Sequence, residues 1–238
     1  MSGISSKLHK TGIYLHDIFF EFLSNEYQLL DYIEGTGTQY INTQYTYDST
    51  NLTYKIEAGW EMISLNYTYQ APYGAYTNEQ SKCFRIIRAN SNTRFWSYCN
   101  NQANSSSRGV YDVSTIYARY DTVHTSEGVT YNNSDFISHS SLVPNGTDTT
   151  STFFIFAQAT GSCVSNMKMY YFRLYDNNDL KLYFIPVKRK EDNAVGMYDL
   201  LSRTFFTSST DTAFIAGPEL QYCSIFQDHT LSKQFIEI

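Results

Sequence analysis

Met169-Tyr170-Tyr171-Phe172-Arg173-Leu174-Tyr175 and Lys181-Leu182-Tyr183-Phe184-Ile185-Pro186-Val187 stand on either side of Asp176-Asn177-Asn178-Asp179. Both outer runs are dense in the aromatic and aliphatic residues that suit a pleated, half-buried surface. Asn and Asp tolerate left-handed backbone, so the four residues between them read as a tight turn. The stretch predicts two long antiparallel strands joined by a hairpin.

The same grammar continues outward. Upstream, Phe153-Phe154-Ile155-Phe156-Ala157 is apolar throughout and predicts a central strand, while Leu52–Ala58 alternates apolar with polar as a half-buried strand does. Cys83-Phe84-Arg85-Ile86-Ile87-Arg88 and Arg94-Phe95-Trp96-Ser97-Tyr98 flank a hairpin-like Ala89-Asn90-Ser91-Asn92. Tyr32-Ile33-Glu34 leads into the turn Gly35-Thr36-Gly37 and on to Gln39-Tyr40-Ile41-Asn42, and further strands are expected over Ile116–Tyr120 and Val129–Tyr131. Many short strands with polar punctuation and almost no helix predict an all-β, two-sheet antiparallel β-sandwich of jelly-roll type.

Composition agrees. The 238 residues include 22 Tyr, 16 Phe and 2 Trp, and charged residues make up only 17%, against about 25% in an average domain. Ser, Thr and Asn number 26, 24 and 17. A helical bundle is disfavoured, and 42% hydrophobic residues exclude a disordered chain. The net charge is -6, and Lys188-Arg189-Lys190 is the one basic cluster, so no nucleic-acid groove is expected. No apolar run reaches the ~18 residues that span a bilayer, and His16, Asp17 and Glu21 break up what would be a signal-peptide core. Neither membrane insertion nor a signal peptide is expected.

The sandwich is expected over residues 27–219, with short extensions at 1–26 and 220–238. In the first, Ile13, Leu15, Ile18, Phe19, Phe22 and Leu23 recur at three- and four-residue spacings that suit a helix, whereas Tyr14, Phe19 and Phe20 also suit a strand. Their apolar surface needs a partner. Ile13, Leu15, Phe19, Phe22, Ile225 and Phe226 are therefore the candidates for assembly.

Chemistry is sparse. Cys83, Cys99, Cys163 and Cys223 form no metal-ligand spacing; Cys83 and Cys99 lie on successive predicted strands, and free buried thiols are the preferred reading. A glycosidase on such a fold needs a carboxylate pair across a cleft. No E-x-D-x-E or E-x-D-x-x-E run occurs; Glu57 and Glu61 lie near one strand with no Asp between them, and the five His are scattered. No catalytic residue is assigned. Asp176-Asn177-Asn178-Asp179 offers oxygens to calcium, but a plain turn has the same composition, so no cofactor or metal is expected. Sugar binding calls for aromatic faces beside polar groups. Arg94, Trp96 and Tyr98 share one strand face; turned outward they form a platform, turned inward they join the core and leave Phe95 exposed. For these three, core or interface roles are weighed ahead of a sugar platform; Tyr73 and Tyr76, in the tyrosine-rich segment around 67–76, complete the carbohydrate-binding candidates.

The ordered segments Tyr32-Ile33-Glu34-Gly35-Thr36-Gly37-Thr38-Gln39-Tyr40-Ile41-Asn42-Thr43, Tyr171-Phe172-Arg173-Leu174-Tyr175-Asp176, Phe184-Ile185-Pro186-Val187, Val195-Gly196-Met197-Tyr198-Asp199-Leu200, Phe205-Phe206-Thr207 and Phe214-Ile215-Ala216-Gly217-Pro218-Glu219 resemble a domain family of phages, prophages and gut-bacterial surface proteins. That family is concanavalin A-like (LamG-like), a lectin/glucanase jelly roll. The resemblance implies the fold and a virion or cell-surface setting. Together with the expected lack of a secretion signal, it points to a non-catalytic bacteriophage virion protein, a capsid decoration, head fibre or tail appendage. Its partners would be other virion proteins or copies of itself, and cell-surface glycan. A carbohydrate-binding module of a bacterial surface protein is the alternative, and a glycoside hydrolase ranks last.

Overall fold

The computed structural model describes residues 26–51, 53–65, 69–76, 82–88, 94–99, 108–112, 116–132, 136–138 and 151–220; the side chains of Arg94, Trp96 and residues 108–112 are outside that description. The described residues contain strands and no helix. In chain order the strands are β1 (Tyr27–Leu29), β2 (Ile33–Thr36), β3 (Ile41–Thr46), β4 (Lys55–Met62), β5 (Gln70–Tyr76), β6 (Cys83–Arg88), β7 (Arg94–Cys99), β8 (Arg108–Asp112) and β9 (Arg119–Thr125). They continue as β10 (Gly128–Tyr131), β11 (Ile137–Ser138), β12 (Thr152–Ile155), β13 (Asn166–Asp176), β14 (Asp179–Arg189), β15 (Val195–Asp199), β16 (Thr204–Phe206) and β17 (Ile215–Ala216). An 11-stranded sheet runs β11-β10-β9-β4-β13-β14-β15-β16 with β1, β2 and β17 attached, and a 6-stranded sheet runs β3-β12-β5-β6-β7-β8. Every pairing is antiparallel, and one hydrophobic core lies between the two sheets. The fold is an all-β sandwich.

The β13–β14 hairpin forms as expected. Asp176 pairs with Asp179, and Asn177 and Asn178 both take positive φ (51° and 63°), the geometry of a type I′ turn whose twist matches the strands. Pro186 removes a donor from β14, and it falls between two pairings on that strand: β13 is paired up to Phe184, and β1 takes over from Val187. β12 is central, flanked by β3 and β5.

Alternation sets the core. Ile56, Ala58, Trp60 and Met62 of β4 and Met167, Met169, Phe172 and Leu174 of β13 point inward. They meet Tyr73, Phe84, Ile86, Phe95 and Phe153 from the smaller sheet. The core is aromatic: Phe153 makes edge contacts with Tyr47, Tyr54 and Phe84 at 5.5, 5.3 and 6.0 Å. Trp60 packs 5.1 Å from both Phe95 and Tyr120.

The structure differs from the sequence pattern in two places. The pattern does not mark β5, because Pro72 and Gly74 interrupt it; Pro72 sits where the register against β6 shifts between Gln70 and Tyr73, and bulges are where a strand tolerates proline. The strand expected at Ile116–Tyr120 begins instead at Arg119, since Tyr117 adopts φ 65° in a turn. Neither Cys83 nor Cys99 is in a disulfide, and they lie on opposite faces of the smaller sheet: Cys99 belongs to the main core and Cys83 to a separate cluster outside it.

Candidate functional site

The sequence-derived sugar candidates separate. Tyr73 is fully buried in the inter-sheet core, with its hydroxyl 3.4 Å from that of Thr122, so it is not a contact residue. Phe95 packs inward on Trp60, which puts Tyr98 on the outer side of the smaller sheet. There Tyr98 and Tyr76 come together around Arg85, whose guanidinium lies 4.2 Å from the Tyr76 ring centre and 5.1 Å from that of Tyr98. Tyr98 is only 9% exposed, and burial pushes its phenol up to about 12 against the opposing pull of Arg85. The side chains of Arg94 and Trp96 lie outside the described residues, as do Ile13, Leu15, Phe19, Phe22, Ile225 and Phe226. The described ends beside those extensions are neighbours: Lys190 N–H donates to Glu26, Leu220 N–H donates to Leu29, and Leu30 bridges to Glu219.

A more exposed arrangement covers the outer face of the larger sheet. Alternation on β4 turns Lys55, Glu57 and Glu61 outward, with Gly59 between the two glutamates. Asp121 of β9 stands opposite Gly59. A register shift on β13 between Met169 and Tyr171 inserts Tyr170 as an extra residue, and bulges of this kind re-aim side chains. Tyr170 and Tyr171 are both half-buried, and the inward phase resumes at Phe172.

Two linked clusters result. Glu61 accepts from Lys168 Nζ at 2.8 Å and from the Tyr170 hydroxyl at 2.7 Å. Lys168 lies over the Tyr32 ring at 4.7 Å, and Arg119, paired with Asp121 at 3.2 Å, lies over Tyr170 at 4.4 Å. Glu57 accepts from Lys55 at 2.8 Å, from the Tyr175 hydroxyl at 3.1 Å and from Arg173 at 3.4 Å. Arg173 also donates to the Tyr183 hydroxyl at 2.8 Å, and Lys55 lies 3.9 Å over the Tyr175 ring. Burial pushes the Glu57 carboxyl up, but Lys55, Tyr175 and Arg173 together outweigh it and hold it below its ordinary range. Burial and Glu57 push the Tyr175 phenol up to about 12, and burial with Asp121 raises that of Tyr171, so both stay protonated donors at neutral pH.

No protein family, no curated protein and no solved structure matches the chain. Function on a sandwich resides in its sites rather than its architecture, and the outer face has a definite chemistry. It presents phenol and cationic donors, carboxylate acceptors and ring faces, most of them already engaged with one another. The general acid of a glycosidase needs a raised pKa, and Glu57 moves the other way. Asp176 is engaged with donors: it accepts from Asn51 at 2.7 Å, Thr53 at 2.9 Å and Tyr45 at 3.0 Å, tying the hairpin turn to β3 and the 51–53 segment. Among the described residues no group of three or more His, Cys, Asp or Glu is placed to hold a metal.

Sequence reasoning missed this face because its parts come from distant strands. The one available signal was the outward phase of Lys55, Glu57 and Glu61 along β4.

Proposed function

We propose that the chain is a non-catalytic bacteriophage virion protein, a capsid decoration, head fibre or tail appendage, whose concanavalin A-like jelly-roll domain holds host-surface glycan on the outer face of its larger sheet. The observation that carries this reading is the row of five half-buried tyrosines, Tyr32, Tyr170, Tyr171, Tyr175 and Tyr183, interleaved with ion-paired Lys, Arg, Glu and Asp. Rings against C–H surfaces and fixed donors and acceptors against hydroxyls are what a sugar requires. Side chains already locked lose little entropy on binding. The resemblance of the β2, β13–β14 and β15–β17 segments to phage and surface-protein domains supports the virion setting. The extensions at 1–26 and 220–238, whose described flanks meet beside β1, attach the domain to the particle.

The test is a glycan array of bacterial surface polysaccharides. Tyr183→Ala and Arg173→Ala are expected to weaken binding at least tenfold while the circular dichroism spectrum stays that of the parent. Absence of binding to any such glycan, or binding indifferent to both substitutions, sinks the glycan half of the reading. Purified phage particles that lack the chain by mass spectrometry would remove the virion half and leave a surface-protein module.

A further inference from the structure

Arg85 carries a permanent charge yet is only 5% exposed. It sits on β6 with Gly74 of β5 and Tyr98 of β7 opposite it in register. A Cβ at Gly74 would run into the Arg85 stem, so the glycine is what gives this arginine its place. Nη1 donates to Gln158 Oε1, and Gln158 is itself held by Ser162 through Nε2 at 3.2 Å. Nε is buried without a partner. Arg119 and Arg173 also leave Nε unpaired, but each has a carboxylate within 3.4 Å. Arg85 has none among the described residues. The rings of Tyr76 and Tyr98 answer part of its charge. An uncompensated buried charge is nevertheless strongly unfavourable, and the usual complement of a guanidinium edge is a carboxylate taken in two parallel hydrogen bonds.

We propose that Arg85 is an anion-binding residue: when the half-buried Tyr76 ring that covers the guanidinium swings aside, the unpartnered Nε edge receives the carboxylate of a ligand between Tyr76 and Tyr98. This site is on the opposite sheet from the glycan face. Only the ligand's being an acidic sugar, such as a uronic acid, rests on the glycan-binding reading; the carboxylate does not.

The experiment is thermal unfolding of the full chain in sodium galacturonate, sodium acetate, galactose and sodium chloride, the salts at equal ionic strength. Galacturonate and acetate are expected to raise Tm saturably, by roughly 3–6 °C at ten times Kd, while galactose and chloride leave it unchanged. Arg85→Lys keeps the charge but loses the planar fork, and is expected to abolish the shift. A shift from acetate alone supports the carboxylate site and overturns the acidic sugar. No shift from either carboxylate, an equal shift from chloride, or a shift that survives in Arg85→Lys overturns the proposal. If Arg85→Lys does not fold, the parent titration decides, a saturable carboxylate-specific shift supporting the site and its absence ending it. A glycan array that fails while these shifts appear removes the glycan face and leaves this site standing.

Discussion

The ring of Tyr171 lies against the backbone of Gly59, so close that a Cβ there would come 2.6 Å from Tyr171 Cε1 and 2.9 Å from Asp121 Oδ1. The bulge that inserts Tyr170 brings Tyr171 opposite Gly59, and the bare glycine lets the ring settle onto the sheet. Gly59→Ala is expected to cost about 1–3 kcal/mol, the usual range for overpacking, and to lift Tyr171 off the face. Urea denaturation measures the first effect and tyrosine near-UV circular dichroism the second. A variant as stable as the parent, with an unchanged spectrum, would contradict this packing.

Phe153 is the centre of the core's aromatic cluster, with Tyr47, Tyr54 and Phe84 around it. Phe153→Ala leaves a cavity that three rigid rings close poorly, and a loss of about 3–5 kcal/mol is expected. Phe136, which is 51% exposed, is the control: its change to alanine is expected to stay within about 0.5 kcal/mol. Equal costs at the two positions, measured by denaturant midpoint, would refute the assignment of the core.

The architecture was legible where alternation is clean, as in β4, β13 and β14, whose period of two is unbroken over most of their length. It was illegible at β5, where Pro72 and Gly74 mask a strand that the bulge accommodates. Periodicity says which residues share a face, but not which face is inner. Tyr73, a contact candidate by sequence, therefore lies in the core, and Phe95 rather than Tyr98 points inward. The outer face was harder still. Asp121 meets Gly59, Tyr171 meets Gly59 from the other side, and Arg173 meets Glu57, only through register between strands far apart in the chain. No local pattern encodes those pairings.

Glu57 and Asp176 make stability sensitive to acid. In each, burial raises the carboxyl pKa, and donors outweigh it: Lys55, Tyr175 and Arg173 for Glu57, and Asn51, Thr53 and Tyr45 for Asp176. A folded pKa below the unfolded one means that the stabilisation is complete above the unfolded value, about 4 for either group, and is lost as pH falls through the folded value. Tm is expected to be flat from pH 7 to 5 and to drop below about 4. Glu57→Gln, which has no proton to gain, is expected to show a shallower drop. A variant whose acid limb superimposes on the parent's would exclude Glu57 as a contributor.

The thiols give a second check on the faces of the smaller sheet. Burial pushes the Cys99 thiol up strongly and raises that of Cys163, with Ser162 and Arg85 opposing in the latter. Cys83 and Cys99 are buried, and Cys163 is partly exposed. Reaction follows thiolate fraction and access, so native-state alkylation followed by peptide mapping is expected to mark Cys163 well before Cys83 or Cys99. Those two are expected to react only on unfolding, and an oxidant should not join them, since they occupy opposite faces. Recovery of a Cys83–Cys99 disulfide peptide from folded protein would rule out the β6–β7 pairing described above.

Asp199 is the carboxylate on which the β15–β16 turn depends. It is buried, and its Oδ1 accepts from Tyr183 N–H at 2.8 Å and Leu201 N–H at 3.3 Å while Oδ2 accepts from Ser202 N–H at 3.1 Å. Its own carbonyl accepts from Arg203 N–H at 2.8 Å, closing the turn in which Arg203 takes φ 57°. One side chain thus joins β14 to the turn that starts β16. Asp199→Ala strands three backbone donors, and each hydrogen bond to a charged acceptor is worth about 1.5–3 kcal/mol; partial rehydration of the turn reduces the sum, so a loss of about 3 kcal/mol is expected. Asp199→Asn retains one acceptor oxygen and has nearly the same shape, and is expected to fall between the parent and the alanine variant. Amide hydrogen exchange localises the effect: protection should fall at Tyr183, Leu201 and Ser202 in Asp199→Ala and only partly in Asp199→Asn. If exchange at those three amides stays at the parent's rate in Asp199→Ala, the carboxylate does not hold the turn.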